Sequence, residues 1–323
     1  MSLLNYTLRR ILVSIPVLIA ITLISFSIIH LAPGSPASTL LGEKAFNPEA
    51  VKKVEENLGL NKPLYEQYFR WFSQLLQGNL GDSIGIKPGT PVTALLGERI
   101  FPTLLLSLSA FFLALILAIP FGIFSALKHN SFFDKITSIF CFIAISIPHF
   151  WFGLMLILLF SVYLGVLPSS GMIDPKIASP TIFDYLRHLL LPTIVLAIGD
   201  IAILTRYLRG SMLDVVRADF IKAARAKGLN NKTIIFRHQL RNSLLVLITI
   251  FGSSIPGLLS GAVLTETVFG WPGIGRLAVN AVFSRDYPVI MAEVLIFGFL
   301  TILGNLIADV LYAVADPRIK YEK

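Results

Sequence analysis

The chain has 323 residues, 55% of them apolar and only 14% charged, with a formal net charge of +8 and a mean hydropathy of +0.76. Soluble domains carry about 25% charged residues, so this composition excludes an aqueous globular protein and points to an integral membrane protein. Within these residues the one cysteine, Cys141, excludes an intramolecular disulfide and a cysteine metal cluster.

A helix needs about 20 mostly apolar residues to cross a bilayer. Six such runs are predicted, at 11–32, 102–127, 136–165, 189–208, 244–264 and 289–314. None alternates with the period of a barrel strand, and backbone in hydrocarbon must pair its own polar groups, so each is predicted to be a helix. Arg9 and Arg10 precede the first run as they would a secretory signal. That run exceeds the about 7–15 residues of a signal's apolar region and ends Ala32-Pro33-Gly34-Ser35-Pro36, so it is expected to stay as the first helix. Pro120, Pro148, Pro192 and Pro256 are candidate kinks, with Pro148 placed to break the long third run.

Charge orients the spans. Sixteen Lys and Arg fall in the N-terminus, the loop after the second run, the segment 206–241 and the tail, against four in the short loops opposite. Because basic loops stay on the cytoplasmic side, both termini are predicted inside. The long loop 33–101 is then extracytoplasmic, where seven basic residues are balanced by seven acidic ones. A helix is expected between Pro48 and Leu58, followed by an aromatic segment from Tyr65 to Phe72, together forming a small ordered cap. Within it Gly81-Asp82-Ser83-Ile84-Gly85 spells the G-x-S-x-G of a hydrolase elbow, but the strand, helix, histidine and acid that an elbow requires are not apparent.

The segment 206–241 holds nine of the 27 basic residues against Asp214 and Asp219, a net charge of +7. Val215–Lys227 is predicted as a short helix with Val216, Phe220, Ala223, Ala224 and Lys227 on one face. Asp219 can pair with Lys222, and Gly228 suits a left-handed helix stop. Asn230-Asn231 is expected to open a second helix leading to the fifth span. Small alanines on a basic helix suit the docking of a protein partner, while on charge alone the segment reads equally as a cytoplasmic loop made basic and helical by topology. Helix, turn and basic helix also describe a DNA-binding motif, but a segment tethered to the bilayer at both ends lacks room for the third helix and core that a helix-turn-helix needs, so nucleic-acid binding is not expected. The five histidines have no metal-ligand spacing, and the Gly-Lys dipeptide of a phosphate-binding loop does not occur. Neither a metal nor a catalytic site is therefore expected, and any ATP must be held by another subunit.

The segment Lys222-Ala223-Ala224, three residues, then Gly228, with Ala-Arg-Ala-Lys-Gly-Leu at 224–229 and Arg237-His238-Gln239-Leu240-Arg241-Asn242-Ser243-Leu244-Leu245 following, resembles the cytoplasmic EAA loop of permease subunits of binding-protein-dependent ABC importers, in the dipeptide, oligopeptide and nickel branch. Lys222 replaces the usual acid, and Val246 a usual proline. Similar to the same family are Leu31-Ala32-Pro33-Gly34, Gly78-Asn79-Leu80-Gly81-Asp82-Ser83, Ser146-Ile147-Pro148-His149-Phe150-Trp151, the string Glu266 to Gly275, Arg285-Asp286-Tyr287-Pro288 and Asp316-Pro317-Arg318.

The resemblance implies an all-α polytopic fold with six transmembrane helices, cytoplasmic N and C termini and a type I importer permease (MetI-like) core in a prokaryotic cell membrane. It divides the chain into 1–32 (tail and first helix), 33–101 (extracytoplasmic cap) and 102–323 (a five-helix core carrying the cytoplasmic loop 206–243). It implies a non-catalytic pore subunit that partners a second homologous permease, two ATP-binding subunits holding ATP and Mg, and an extracytoplasmic solute-binding protein. Residues 219–229 would be the coupling helix, with Asp219, Lys222, Ala223, Ala224, Arg225, Gly228 and Leu229 at the ATPase. Trp271, Pro272 and Gly273 would meet the binding protein. The cargo expected is a di- or oligopeptide, with nickel or another small solute as the alternative.

Ionisable groups inside spans are costly and rare. Asp200 lies near the middle of the fourth run and is a candidate for the substrate path or for a structural partnership, while His149, Glu266, Glu293 and Asp309 read as structural. An ion-coupled secondary transporter would need inverted repeats or a midplane ion site, and no convincing repeat is present.

Overall fold

The computed structural model describes residues 3–31, 61–244 and 263–315, with isolated positions at 41, 49, 52, 56, 247 and 250. Apart from those positions, the expected Pro48–Leu58 helix, the turn 32–36, most of the fifth span with Val246 and Pro256, and the tail with Arg318, Lys320 and Lys323 lie outside the described residues, as does the Asp309 side chain. The elements in chain order are α1 (Leu3–Leu31), α2 (Leu64–Leu76), α3 (Val92–Leu127), α4 (Phe132–Ser146) and α5 (His149–Leu156, running on as π-helical Ile157–Tyr163). They continue with α6 (Ile182–Val216), α7 (Asp219–Ala226), α8 (Asn231–Thr233, running on as π-helical Ile234–Leu240), α9 (Val263–Val268), α10 (Ile274–Phe283) and α11 (Tyr287–Ala315). Among the described residues there is no strand, only one isolated bridge between Asp82 and Pro91.

Among the described residues four helices are long and apolar enough to cross a membrane: α1 over Arg9–Ser27, α3, α6, and α11 over Tyr287–Ile307. The third predicted span is split into α4 and α5, bent by 102° at Ile147–Pro148. The residue before a proline is pushed out of the helical region, and Ile147 is extended at φ −81°, ψ 126°. Pro120 and Pro192, by contrast, sit inside unbroken helices. The chain is an all-helical polytopic membrane protein.

The core is the long contact between α3 and α6. Ala110, Ala114 and Ala118 of α3 meet Ala197, Ile201, Leu204 and Leu208 of α6. In lipid the drive to associate is packing rather than the exclusion of water, so small residues that let two backbones approach are the effective glue. At about 1.5 Å per residue α6 measures roughly 52 Å against a hydrocarbon core of about 30 Å. It therefore projects well beyond the predicted 189–208, and its first turn is held by Asp184, which accepts hydrogen bonds from the Thr181 N–H (2.8 Å) and hydroxyl (2.7 Å). Likewise α3 starts ten residues before the predicted 102 because Val92, Leu95 and Leu96 bury against Leu277, Ala281, Val289 and Ala292.

Two buried carboxylates organise the end of the fold where α3 and α11 begin. Glu266 is wholly buried and accepts from the Thr103 hydroxyl (2.8 Å) and the Arg276 N–H (3.0 Å), while Thr103 accepts from the Ile274 N–H (2.8 Å). A Cβ on Gly273 would stand 2.3 Å from that carboxylate, so only glycine lets the 271–275 turn wrap it. Asp286, also wholly buried, accepts from the Ser83 hydroxyl (2.5 Å) and from the N–H groups of Ile84 (3.2 Å), Gly85 (3.0 Å) and Ile86 (3.0 Å). The hydrolase-like string is thus an anion nest for an aspartate about 200 residues away. α2 lies on the C-terminal half of α1 through Tyr68, which hydrogen-bonds Thr22 (2.8 Å) and meets the Phe26 ring edge-on at 5.4 Å.

Asp286→Ala strands the donors of the 83–86 loop, each at about 1–3 kcal/mol when left buried and unpaired. The expected outcome is a markedly lower unfolding midpoint in detergent with protease cleavage near Ser83, and Asp286→Asn should be milder. An unchanged midpoint would contradict the nest.

Candidate functional site

The C-terminal end of α6 carries the basic segment. The predicted Val215–Lys227 helix is in fact divided: α6 continues to Val216, Arg217 and Ala218 make a break, and α7 starts at Asp219. The break turns Ile221 and Ala224 inward, where they bury with Ile234 against Val215. Ala224 is 7% exposed, so it belongs to the face that holds α7 to its own subunit and not to the predicted docking face. The outward face carries Phe220, which is 47% exposed, with Ala223 and Lys227. Lys222 and Asp219 pair at 2.8 Å, but both side chains are largely in water, where such a pair contributes little.

The stop is well made. Gly228 has φ +73°, a left-handed conformation in which a side chain is strained. Its N–H donates to the Arg225 carbonyl (3.0 Å) and the Leu229 N–H to the Ala224 carbonyl (3.3 Å). These are the two bonds of a Schellman motif, which satisfies carbonyls the helix end would otherwise leave orphaned. Asn230 then caps the next helix, its side chain accepting from the Lys232 N–H (3.1 Å). The result is a short, rigid helix with Arg225 and Leu229 exposed at its end.

Deeper on α6 lies Asp200, half-buried, the nineteenth of the helix's 35 residues. Tyr207, Ser211 and Asp214 follow on the same face, seven, eleven and fourteen positions on. Ile203, Arg206, Tyr207, Gly210, Ser211 and Asp214 together with Ile145 of α4 line an open cavity of about 640 Å³. The Arg206 guanidinium lies over the Phe142 ring at 5.0 Å. His149, the first residue after the bend, packs against the backbone of Gly199, where a Cβ would be 3.0 Å from Nε2. Glu293 of α11 is buried, 2% exposed.

Trp271 and Gly273 do not lie on an outer contact surface. Trp271 is wholly buried with Nε1 donating to the Pro102 carbonyl (2.9 Å), and Gly273 is buried against Glu266. Pro272 alone of the three is partly exposed. The predicted binding-protein contact is therefore corrected to a structural turn, since an aromatic with a polar N–H buries readily once that group has an acceptor. A bidentate pair between Asp134 and Arg209 joins the start of α4 to α6. Sequence reading treated Arg209 only as a topology charge. The one local sign of this pair is an acid in the first turn of α4 after its Ser131 cap.

Comparison with known proteins decides the family. The family described as binding-protein-dependent transport system inner membrane component matches residues 118–321, and its N-terminal counterpart matches 3–92. The chain belongs to this family. The oligopeptide transport system permease protein AppB of Bacillus subtilis is 47% identical over 316 residues, covering 98% of this chain and 99% of that one. The dipeptide transport system permease protein DppB of Alkalihalophilus pseudofirmus is 41% identical over 335 residues (98% and 100%), and that of Escherichia coli K12 is 37% identical over 340 residues (99% and 100%). The fold is also that of a chain of the MetNI methionine ABC transporter in an inward-facing conformation, with a TM-score of 0.56 at 17% identity over 69% of this chain and 97% of that one. The chain is a permease of the DppB/OppB type, a non-catalytic transport component of the inner membrane.

The two faces of α7 are distinguishable in this permease. In a Cys141→Ser background, Ala223→Cys should react with a water-soluble maleimide in the purified chain, and Ala224→Cys should react at least about tenfold more slowly for want of access. Equal rates would mean that α7 does not pack as described.

Proposed function

We propose that this permease is a pore subunit of an ATP-driven ABC importer that moves di- or oligopeptides into the cytoplasm. A second, homologous permease completes the pore. Two ATP-binding subunits, which hold ATP and Mg, dock on the cytoplasmic loops, and an extracytoplasmic binding protein delivers the solute. Both termini are cytoplasmic in this reading. The observation that carries it is α7: a rigidly capped helix with an exposed apolar and cationic face, joined by two residues to the helix that bears Asp200. The peptide-transport names of the relatives support the cargo.

Closure of the ATPases pushes on α7, and the displacement passes into α6. Rigid-body rotation of the spans exchanges an inward-open for an outward-open state, and hydrolysis resets it. A short helix suits this because its own hydrogen bonds keep its shape in both states. Phe220, Ala223 and Lys227 form the seat for the ATPase, with Asp219, Lys222, Arg225 and Leu229 at its margins. Gly228 fixes where the helix ends, and Ala224 fixes it to α6. Asp200 faces the solute path, where a buried acid attracts ammonium groups.

Purification through a C-terminal tag should recover P-loop ATPases and a second permease. Gly228→Pro, which cannot adopt a positive φ, should abolish uptake and loosen the ATPases while leaving membrane insertion intact; normal uptake in this variant would remove the coupling role of α7. The Ala223→Cys label expected on the isolated permease should be blocked in the assembled complex. Asp200→Asn should depress uptake of cationic peptides by about tenfold relative to neutral ones, the worth of roughly one charge-assisted hydrogen bond. Equal effects on both would assign Asp200 to structure.

A further inference from the structure

The Asp134–Arg209 pair is built with more geometric definition than two packed helices require. Asp134 is 2% exposed. Its Oδ1 accepts from Arg209 Nε at 2.6 Å, and its Oδ2 accepts from Arg209 Nη2 at 2.8 Å and from the Asn130 N–H at 2.9 Å. The Asp134 N–H donates to Ser131 Oγ at 3.3 Å, and His129 Nδ1 lies 3.1 Å from Arg209 Nη2. Asn130 holds a left-handed backbone, φ 63°, to aim its N–H at the carboxylate. Replacing a buried ion pair by apolar residues often leaves a protein as stable or more so, so stability alone is a weak reason for one. What a planar fork on a carboxylate adds is a defined distance and orientation between the groups that carry it.

The position of the pair gives that definition a use. Arg209 lies seven residues before the end of α6 and hence close above α7. Higher up, Cys141 and Ala144 of α4 pack on Ala202 of α6. Beyond the 102° bend, His149 packs on Gly199, the neighbour of Asp200. Thus α4 and the bend are pinned to α6 at 199, 202 and 209, over about 15 Å of its length. A helix pushed at one end without such a strut can slide or bend along its own neighbours, and the displacement is lost before it reaches the middle of the span.

We propose that Asp134 and Arg209 are a coupling latch: they make α4 and α6 move as one body, so that a displacement of α7 arrives at the bend and at Asp200 undiminished. They are positioning residues and touch neither solute nor nucleotide. The proposal rests on the importer reading given above.

The test uses the complex of this chain with its second permease, ATPases and binding protein, reconstituted in liposomes with ATP inside, and measures peptide taken up per ATP hydrolysed. Asp134→Asn keeps the shape and removes the charge, and Arg209→Lys keeps the charge and removes the fork. Both are expected to assemble and to hydrolyse ATP at the wild-type basal rate while taking up at least about fivefold less peptide per ATP, the lower range of common coupling factors. Asp134→Glu, which retains a bidentate acceptor, should recover part of that loss. If uptake and hydrolysis fall together, or if both variants keep the wild-type ratio, the pair is a structural tie and the latch is overturned. Should Asp134→Asn fail to assemble, the ratio for Arg209→Lys decides the matter by itself. A wild-type complex that imports no peptide in response to ATP would overturn the importer reading and the latch with it.

Discussion

Hydrocarbon offers no hydrogen bonds, so every polar group placed below the membrane surface needs a partner from within the protein. That constraint makes the backbone helical, and it also governs the buried side chains. Glu266, Asp286 and Asp134 all have protein donors, and in each case these include groups distant in sequence: Thr103 for the first, the Ser83 loop for the second, Arg209 for the third. The apolar surface of α3 and α6 supplies area for association, but alanine-rich faces can slide past one another at small cost. The carboxylate knots remove that freedom, because a one-turn displacement of either partner leaves a charge without its donors.

The knots divide the permease into regions with different mechanical character. At one end Glu266 and Asp286 tie α3, α9, α10 and the start of α11 to the loop before α3, with Trp271 locked to Pro102. At the other end α6 is tied to α4 by Arg209 and to α7 by the cluster of Ile221, Ala224 and Ile234. Between them stand the 102° break at Pro148 and the half-buried Asp200. A break in a span leaves backbone groups that only protein or water can satisfy, and it is also where a helix turns most easily. The break therefore lies beside the acid proposed for the solute path.

Most of the secondary structure was legible in the sequence because hydrophobicity and helix punctuation are local. The break at Pro148 and the stop at Gly228 each depend on a few adjacent residues and stand where they were predicted, and five of the six apolar runs fall in described helices, though α3 and α6 extend well past the predicted ends. What was not legible depends on partners far along the chain. Val216 and Ala224 share the outward stripe with Phe220 only if the helix is continuous, and the two-residue break that turns Ala224 inward is imposed by Val215 and Ile234. Trp271 and Gly273 looked like an exposed turn because turns of this composition usually are. Their burial comes from Glu266 and from the Pro102 carbonyl of another helix. The Gly81–Gly85 string resembled a catalytic elbow for the same reason, since its true complement, Asp286, lies about 200 residues away. The fold and its family were thus open to local reading, whereas the surface that meets a partner was not.

The distribution of charge on α7 follows from this architecture. Its inward face must be apolar and small for the helix to lie flat on α6, and its outward face is then set by the remaining positions, where Phe220 and Ala223 stand among cations. A loop on the cytoplasmic side is basic for reasons of topology alone, so the cations by themselves carry no information about a partner. The informative residues are the apolar ones. A phenylalanine left 47% exposed on an eight-residue helix costs free energy in water, and that cost is recovered when a partner covers it. In the importer reading proposed above, selectivity for the ATPase resides in Phe220 and Ala223, whereas the surrounding charges speed encounter and hold orientation.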